Sequence, residues 1–139
     1  FQQGLMCQRS AIHLFDARRT RFESRYVFGE GTETWREDIL VNYNPGDMAN
    51  DLFSICVNKR NNYWLGEFQS NEEHRDFKLK KLLGDGDCFV APVSVSKRII
   101  GVFYADNGVD GKLSAAHYNA FNMFVQQASM ALAYVGRKK

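Results

Sequence analysis

The clearest hydrophobic pattern in the chain lies in residues 89–107, where a short polar segment separates two apolar runs. The first run holds three valines, and residues 99–105 form a second run that is almost continuously apolar. Because both runs are short and rich in β-branched and aromatic residues, they predict two strands joined by a turn at residues 96–98. The continuity of the second run predicts a strand that is covered on both faces, and therefore a layered arrangement of sheet and helices.

Two residues within these strands restrict what surrounds them. Pro92 has no backbone N–H to donate to a neighbouring strand, so it predicts an edge or a bulge near the start of the first strand. Gly101 has no side chain, so we expect another element, most simply a helix, to approach it closely.

Earlier in the chain, the pattern predicts a hairpin with one solvated side. Residues 10–15 and 20–28 are expected to be its strands, because apolar and polar residues alternate along them. Phe22, Tyr26 and Phe28 are expected to share one face of the second strand, with the charged residues on the other.

Helical patterns follow the hairpin. Asp47 is expected to be the N-cap of a helix that ends near residue 60, and the charged residues 71–83 are consistent with a short exposed helix. Residues 35–43 fit either a helix or a strand, and residues 63–68 are expected to be extended.

A long helix over residues 114–136 closes the chain and carries two apolar faces. Its main stripe contains Phe121, Phe124, Val125, Ala128, Leu132 and Val135. Met123, Met130 and Tyr134 form a second, weaker face, which is typical of a helix that covers both its own sheet and a partner. We therefore consider a homodimer through this helix; the alternative is that another helix of the same chain covers the second face.

The C-terminal third resembles the GAF domain family. The resemblance is carried by Pro92 in its apolar strand, Arg98-x-x-Gly101, Tyr104-Ala105-Asp106-Asn107 and Leu113-Ser114. The strand ending looks most like that of GAF domains that accompany HDOD domains in bacterial signalling proteins. The resemblance implies a single α+β domain over residues 1–139, with a GAF/PAS-like central antiparallel sheet, flanking helices and a long C-terminal helix.

Composition limits the class of protein. With 139 residues, of which 45% are hydrophobic, the chain is large enough for one core and is not typical of disorder. The net charge of +2 and the mixed signs favour a solvated surface over a nucleic-acid surface, and no apolar run is long enough to span a membrane. The three cysteines lack CxxC spacing and predict reduced thiols in a cytoplasmic protein. Because the chain starts at Phe1, we expect a fragment of a larger multidomain protein.

Motifs for chemistry are missing, so we expect no catalytic residue, no metal site and no enzyme activity. A loop beginning at Asp106 imitates a calcium loop but has glycine and histidine at two ligand positions, which favours a plain turn. The loop Asp85-Gly86-Asp87 is expected to be solvated, and His13 is expected to point out of its strand.

Two activities known in the GAF family are disfavoured by particular residues. The cyclic-nucleotide motif follows the strand that here ends at Asp106, but Gly108 replaces its lysine and Ala116-His117 replace its acidic pair. Free methionine sulfoxide reductases use closely placed cysteines, whereas Cys56 and Cys88 are expected to be buried as small hydrophobic residues.

Aromatic residues cluster in the middle third, where GAF domains usually close a pocket over the sheet. Ordinary core packing is the favoured interpretation of these aromatic residues; if they instead form a pocket for an unidentified small ligand, we expect Trp64, Phe68 and Tyr104 to line it. The resemblance implies a non-catalytic sensory or regulatory module of a bacterial signalling protein, next to domains such as HDOD. The alternatives are a dimerisation or docking module without a ligand, and a cysteine-based redox enzyme.

Overall fold

The computed structural model describes residues 7–46, 51–65, 83–84, 86–108 and 111–137. The strands in these ranges are β1 (Arg9–Phe15), β2 (Arg21–Phe28), β3 (Leu40–Asn42), β4 (Tyr63–Leu65), β5 (Cys88–Val95) and β6 (Arg98–Asp106). The helices are α1 (Trp35–Asp38), α2 (Leu52–Lys59) and α3 (Ala115–Arg137).

The strands form one sheet with the order β3-β2-β1-β6-β5-β4, in which every neighbouring pair is antiparallel. The first strand in sequence therefore pairs with the last, so that Arg9 lies opposite Asp106. The predicted α+β class is confirmed: a central antiparallel sheet carries flanking helices and a long C-terminal helix.

The predicted hairpin is formed by β5 and β6. Its turn consists of Ser96 and Lys97, whose φ angles of 52° and 68° are those of a type I′ turn. Pro92 lies beyond Val90, the last residue of β5 that pairs with β4, and a bulge follows at Val93/Ser94. The prediction of an edge or a bulge at this proline is therefore confirmed.

Each face of the sheet carries its own hydrophobic cluster. The α3 cluster is centred on Ile12, Phe89, Phe103, Phe121, Val125 and Ala128. The opposite cluster is covered by α1 and α2 and is centred on Phe22, Trp35, Leu52, Phe53, Val102 and Tyr104. Because both faces are covered, β1 and β6 are buried almost throughout, as expected for central strands of a layered fold.

A β-bulge overturns the predicted face assignment of β2. Ile12 pairs with Tyr26 but His13 pairs with Ser24, so the residue between them has no partner on β1. The alternation changes phase at this point, and Phe22 is buried whereas Tyr26 is 43% exposed. Phe22 and Tyr26 therefore do not share a face, contrary to the prediction.

The helix predicted before residue 60 starts later than expected. Its N-cap is Asp51, whose Oδ2 accepts a hydrogen bond from the Ser54 N–H at 2.9 Å, and not Asp47, which lies outside the described residues. Arg60 ends the helix in the left-handed conformation. The ambiguous residues 35–43 contain both α1 and β3, and the helix proposed for residues 71–83 falls outside the description apart from its last residue.

Both predicted faces of the C-terminal helix are present in α3. Its inner stripe packs on the sheet through Phe121, Val125 and Ala128. Met123 is 63%, Met130 72% and Tyr134 58% exposed. Within the described residues, the second apolar face is therefore uncovered.

Gly101 packs against a strand and not against the helix that the sequence suggested. A Cβ atom at this position would lie 2.1 Å from the carbonyl oxygen of His13 on β1. The obstacle is backbone in the centre of the sheet, so it cannot move aside as a flexible side chain would.

We expect Gly101→Ala to lower the free energy of unfolding by about 3 kcal/mol or more, because the added methyl group must separate two central strands. Gly31→Ala is the control: its Cβ would meet nothing within 4 Å, and only its φ of +83° opposes the change. That strain should cost about 1–2 kcal/mol. Urea unfolding measures both, and equal losses would contradict this account of Gly101.

Candidate functional site

The sheet separates the residues that were expected to line one pocket. Trp64 lies on the α3 face, stacked on Tyr118 with ring centroids 5.6 Å apart. Tyr104 lies on the opposite face, edge-on to Trp35 at 5.9 Å. Trp64 and Tyr104 therefore do not line a common pocket, and Phe68 lies outside the described residues.

The register of β4 explains this separation. Trp64 pairs with Phe89, whereas Tyr63 pairs with Val90, which in turn pairs with Tyr104. Tyr63, and not Trp64, thus shares the face of Tyr104. Successive side chains of a strand point to opposite faces, so a shift of one residue exchanges them.

Tyr104 belongs to a buried polar network with Asp106 and Arg9. Its hydroxyl donates to Asp106 Oδ2 at 2.5 Å. The Arg9 guanidinium donates through Nε to Asp106 Oδ1 at 2.7 Å and through Nη2 to Oδ2 at 2.5 Å. The Gly108 N–H adds a fourth hydrogen bond, to Oδ1, at 2.9 Å. A carboxylate offers about four lone-pair sites, so Asp106 is fully satisfied.

The network is shielded from solvent. The side chains of Arg9 and Asp106 are 6% and 2% exposed. Burial raises the pKa of Tyr104, and the neighbouring Cys88 and Asp106 raise it further, so the phenol keeps the proton that it donates. Burial and the charge of Asp106 also raise the pKa of Cys7 to about 12.

Arg9 connects this network to other elements. Its Nη2 also donates to the carbonyl of Leu83 at 2.6 Å, and its guanidinium lies 5.0 Å from the ring centroid of Trp35. The cluster therefore joins β1, β6, α1 and the segment before β5. Sequence reasoning treated Asp106 as a turn residue and did not single out Arg9, because no spacing rule relates residues 97 positions apart.

Asp87 fixes the start of α3, in contrast to the solvated loop that was predicted. It is 3% exposed, and its Oδ2 accepts a hydrogen bond from the Leu113 N–H at 2.9 Å. Its own N–H donates to the carbonyl of Gly111 at 2.9 Å. A Cβ on Gly86 would lie 2.7 Å from the Gly111 nitrogen, so the two loops are in close contact.

His13 is buried on the same face as Tyr104, and the expectation that it points out of its strand is wrong. It is fully buried, and its ring stacks on Phe53 of α2 with centroids 4.6 Å apart. Nδ1 lies 2.8 Å from Ser24 Oγ, while Nε2 has no hydrogen-bond partner among the described residues. Burial lowers the pKa of His13 to about 3, so the imidazole is neutral.

The cysteines are arranged as core residues. Cys7, Cys56 and Cys88 are buried free thiols, which confirms the expected burial of Cys56 and Cys88. Burial raises the pKa of Cys56, so the thiolate that nucleophilic or redox chemistry needs is disfavoured. Within the described ranges, no three His, Cys, Asp or Glu side chains are placed to hold a metal ion. In the same ranges, no helix combines the length and hydropathy of a bilayer span.

This architecture is the fold of solved GAF domains. A domain of a methyl-accepting chemotaxis protein is similar with a TM-score of 0.75 and 18% identity, covering 99% of this chain and 85% of that one. The GAF domain/HD domain protein from Geobacter sulfurreducens is similar with a TM-score of 0.71 and 16% identity, covering 96% of this chain and 84% of that one. The second GAF domain of DevS from Mycobacterium smegmatis is similar with a TM-score of 0.69 and 15% identity, covering 99% of this chain and 89% of that one.

Neither a family model nor a curated protein matches the chain. These three solved structures share 18% sequence identity or less with the chain, so the similarity shows the fold alone. The GAF fold expected from the C-terminal motifs is confirmed, and the association with HDOD domains stays a prediction.

We expect Asp106→Asn to lower the free energy of unfolding by about 3–5 kcal/mol, because it leaves the buried Arg9 charge without its counter-charge. Arg21→Gln breaks the other described ion pair, Arg21–Glu23, whose side chains are 49% and 30% exposed. That change should cost at most about 1 kcal/mol. Urea unfolding distinguishes the two, and a small loss for Asp106→Asn would show that the network is not a major source of stability.

Stability should also depend on His13 at mildly acidic pH. The unfolded chain binds a proton near the ordinary pKa of 6.5, whereas the folded protein binds it only near pH 3. The contribution of neutral His13 to the free energy of unfolding is therefore fully present above pH 6.5. It falls as the pH decreases towards 3, by up to about 1.4 kcal/mol per pH unit. Urea unfolding between about pH 7 and 5 avoids most carboxylate titration.

His13→Gln should flatten this slope, because glutamine does not titrate. His117→Gln is the control: His117 lies at the start of α3, where Nδ1 is 2.8 Å from Ser114 Oγ. The slope should be flatter in His13→Gln than in the control, and an equal flattening in both variants would rule out His13 as the source.

Proposed function

We propose that this chain is a non-catalytic sensory or regulatory module of a bacterial signalling protein, located in the cytoplasm, with α3 as its output element. The observation that carries the proposal is that α3 packs on the sheet with one side and presents on the other an apolar face that no other described residue covers. The similarity to a methyl-accepting chemotaxis protein and to a GAF domain/HD domain protein supports a signalling context.

The outer face of α3 is suited to a second copy of the chain. Between Leu113 and Gly136 the sequence contains no Asp, Glu, Lys or Arg. An exposed helix normally carries charges on its outer face, whereas interface cores are depleted of charge and enriched in methionine and aromatic residues. Met123, Met130 and Tyr134 lie on one stripe of this uncharged surface. Two α3 helices packed along this stripe would form a homodimer.

A small ligand on the Tyr104 face would bias this output by population shift. That face holds the Tyr104 hydroxyl and His13 Nε2, which has no hydrogen-bond partner in the part of the chain that the structure describes. Displacing Trp35 or Tyr104 would disturb Arg9 and Asp106, which lie next to the loop that leads into α3. The ligand would thus act on α3 through the end of β6, and the residues replacing the cyclic-nucleotide motif argue against such a nucleotide.

A docking module without a ligand is the second candidate. It is favoured by the ring contacts that fill the described part of the Tyr104 face: Phe22–Phe53 at 5.7 Å, His13–Phe53 at 4.6 Å and Trp35–Tyr104 at 5.9 Å. In that case the module would dimerise through α3 and hold an adjacent domain, such as HDOD, without sensing a molecule. The redox alternative is disfavoured by the raised pKa of Cys56.

Native mass spectrometry of the purified chain, followed by denaturation of the same sample, tests both candidates. We expect a dimer. A mass excess that disappears on denaturation would identify a bound ligand and support the sensor, whereas a dimer without excess mass would support the docking module. A monomer at all concentrations would contradict the role proposed for α3.

The double variant Met123→Glu, Met130→Glu should convert the dimer to a monomer, because it places four carboxylates in the apolar seam of a dimer. The monomer should keep its fold in far-UV circular dichroism, since both methionines are exposed, and its melting temperature should fall only by the contribution of dimerisation. The control Ala17→Glu, Asn42→Glu adds the same charge at exposed positions in the β1–β2 turn and in β3, away from α3, and should remain dimeric. A variant that stays dimeric would rule out this face as the interface.

A further inference from the structure

An open groove lies at the end of the sheet opposite to the Arg9–Asp106 network. Because β1 and β6 are antiparallel, Arg9 faces Asp106 at one end and Leu14 faces Gly101 at the other. The groove has a volume of about 450 Å³ and lies between the β1–β2 turn, the end of α2 and the β5–β6 turn. Its lining residues include Arg19, Tyr43, Arg60, Lys97, Arg98 and Ile99.

The groove is strongly cationic. Arg19, Arg60, Lys97 and Arg98 line it, and none of the described lining residues is acidic. The ion pairs found among the described residues, Arg9–Asp106 and Arg21–Glu23, do not involve these four cations. The nearby carboxylate of Asp16 is occupied within its own turn, where it accepts hydrogen bonds from the backbone and hydroxyl of Thr20.

Three of these cations occupy backbone positions that normally favour glycine. Among the described residues, Arg19, Arg60, Ser96 and Lys97 are the non-glycine residues with positive φ, at 57°, 55°, 52° and 68°. Three of the four line the groove, and they come from three different turns. A side chain in this conformation has a free-energy cost, and such strain concentrates where a ligand is held. The chain thus retains a cation in each turn at a position where glycine would be easier to accommodate.

Two of the guanidinium groups are already held in place. Arg60 Nη2 donates to the carbonyl of Lys97 at 3.2 Å, and Arg19 Nη1 donates to the carbonyl of Ile99 at 2.8 Å. Arg19 also lies 4.2 Å from the ring centroid of Phe15. Each guanidinium keeps further N–H donors, so their positions are fixed while their capacity to bind an anion remains.

We propose that this groove binds a small organic molecule that bears two or more phosphate groups. Guanidinium groups match phosphate oxygens in bidentate geometry, and four cations without an acid among them call for more than one negative charge. The volume is within the range of small-molecule sites, and Tyr43 and Ile99 offer contact for the organic part. The groove lies at the far end of the face that carries Tyr104, since Val57 and Ile99 line it and belong to the same hydrophobic cluster. The proposed binding does not depend on a ligand beside Tyr104.

Isothermal titration of the full 139-residue chain with tripolyphosphate tests this proposal. We expect binding that weakens steeply as salt increases, because the contacts are exposed and charged. Arg60→Gly with Lys97→Gly should lower the affinity by at least roughly tenfold. The melting temperature of this variant should stay the same or rise, since glycine adopts positive φ without strain. A structural role for the two cations would instead lower it.

Ser96→Gly is the matched control, because it relieves the same backbone strain in the same turn without removing a charge. Its affinity should equal that of the wild type. If the double glycine variant does not fold, Arg98→Gln, at a position with ordinary φ, should still weaken binding.

Three outcomes would overturn the proposal. The first is no binding of tripolyphosphate at low salt, and the second is unchanged affinity in the variants that lack groove cations. The third is equal or tighter binding of a hexaglutamate peptide or of vesicles containing a phosphorylated inositol lipid, which would assign the groove to an acidic protein segment or a membrane headgroup.

Discussion

The buried ion pair between Arg9 and Asp106 joins the two halves of the molecule. Strands β1 to β3 form one half of the sheet and β4 to β6 the other, and in the described residues the halves meet only where β1 pairs with β6. Arg9 and Asp106 face each other at one end of this seam. The two hydrophobic clusters, one on each face, both cross it. Their formation therefore depends on the two halves meeting in the correct register.

Hydrogen bonding explains how a charged pair is accommodated in this position. The penalty for removing a carboxylate from water is offset only when every lone pair finds a donor, and Asp106 has four. The same end of the sheet contains the contact between Asp87 and the N–H of Leu113. Buried polar contacts thus attach the start of α3 to the end of the sheet where β1 pairs with β6. A movement within the sheet would therefore displace the helix directly.

Features that depend on local pattern could be predicted from the sequence, and features that depend on register could not. The β5–β6 hairpin and the two faces of α3 follow from periodicity over adjacent residues. The bulge in β2 and the one-residue difference between Tyr63 and Trp64 reverse side-chain faces without leaving a trace in composition. Burial of His13 likewise depends on Phe53, which lies in a helix forty positions away.

The pairing of the first strand with the last has a consequence for synthesis on the ribosome. The paired residues Arg9 and Asp106 are 97 positions apart in the chain. At a translation rate of roughly 5–20 residues per second, β6 is made about 5–20 s after β1. During this interval one edge of β1 has no partner and both of its faces are uncovered. Arg9, which ends as a buried residue, is then a solvated charge flanking an apolar strand, a position in which charges oppose association between nascent chains.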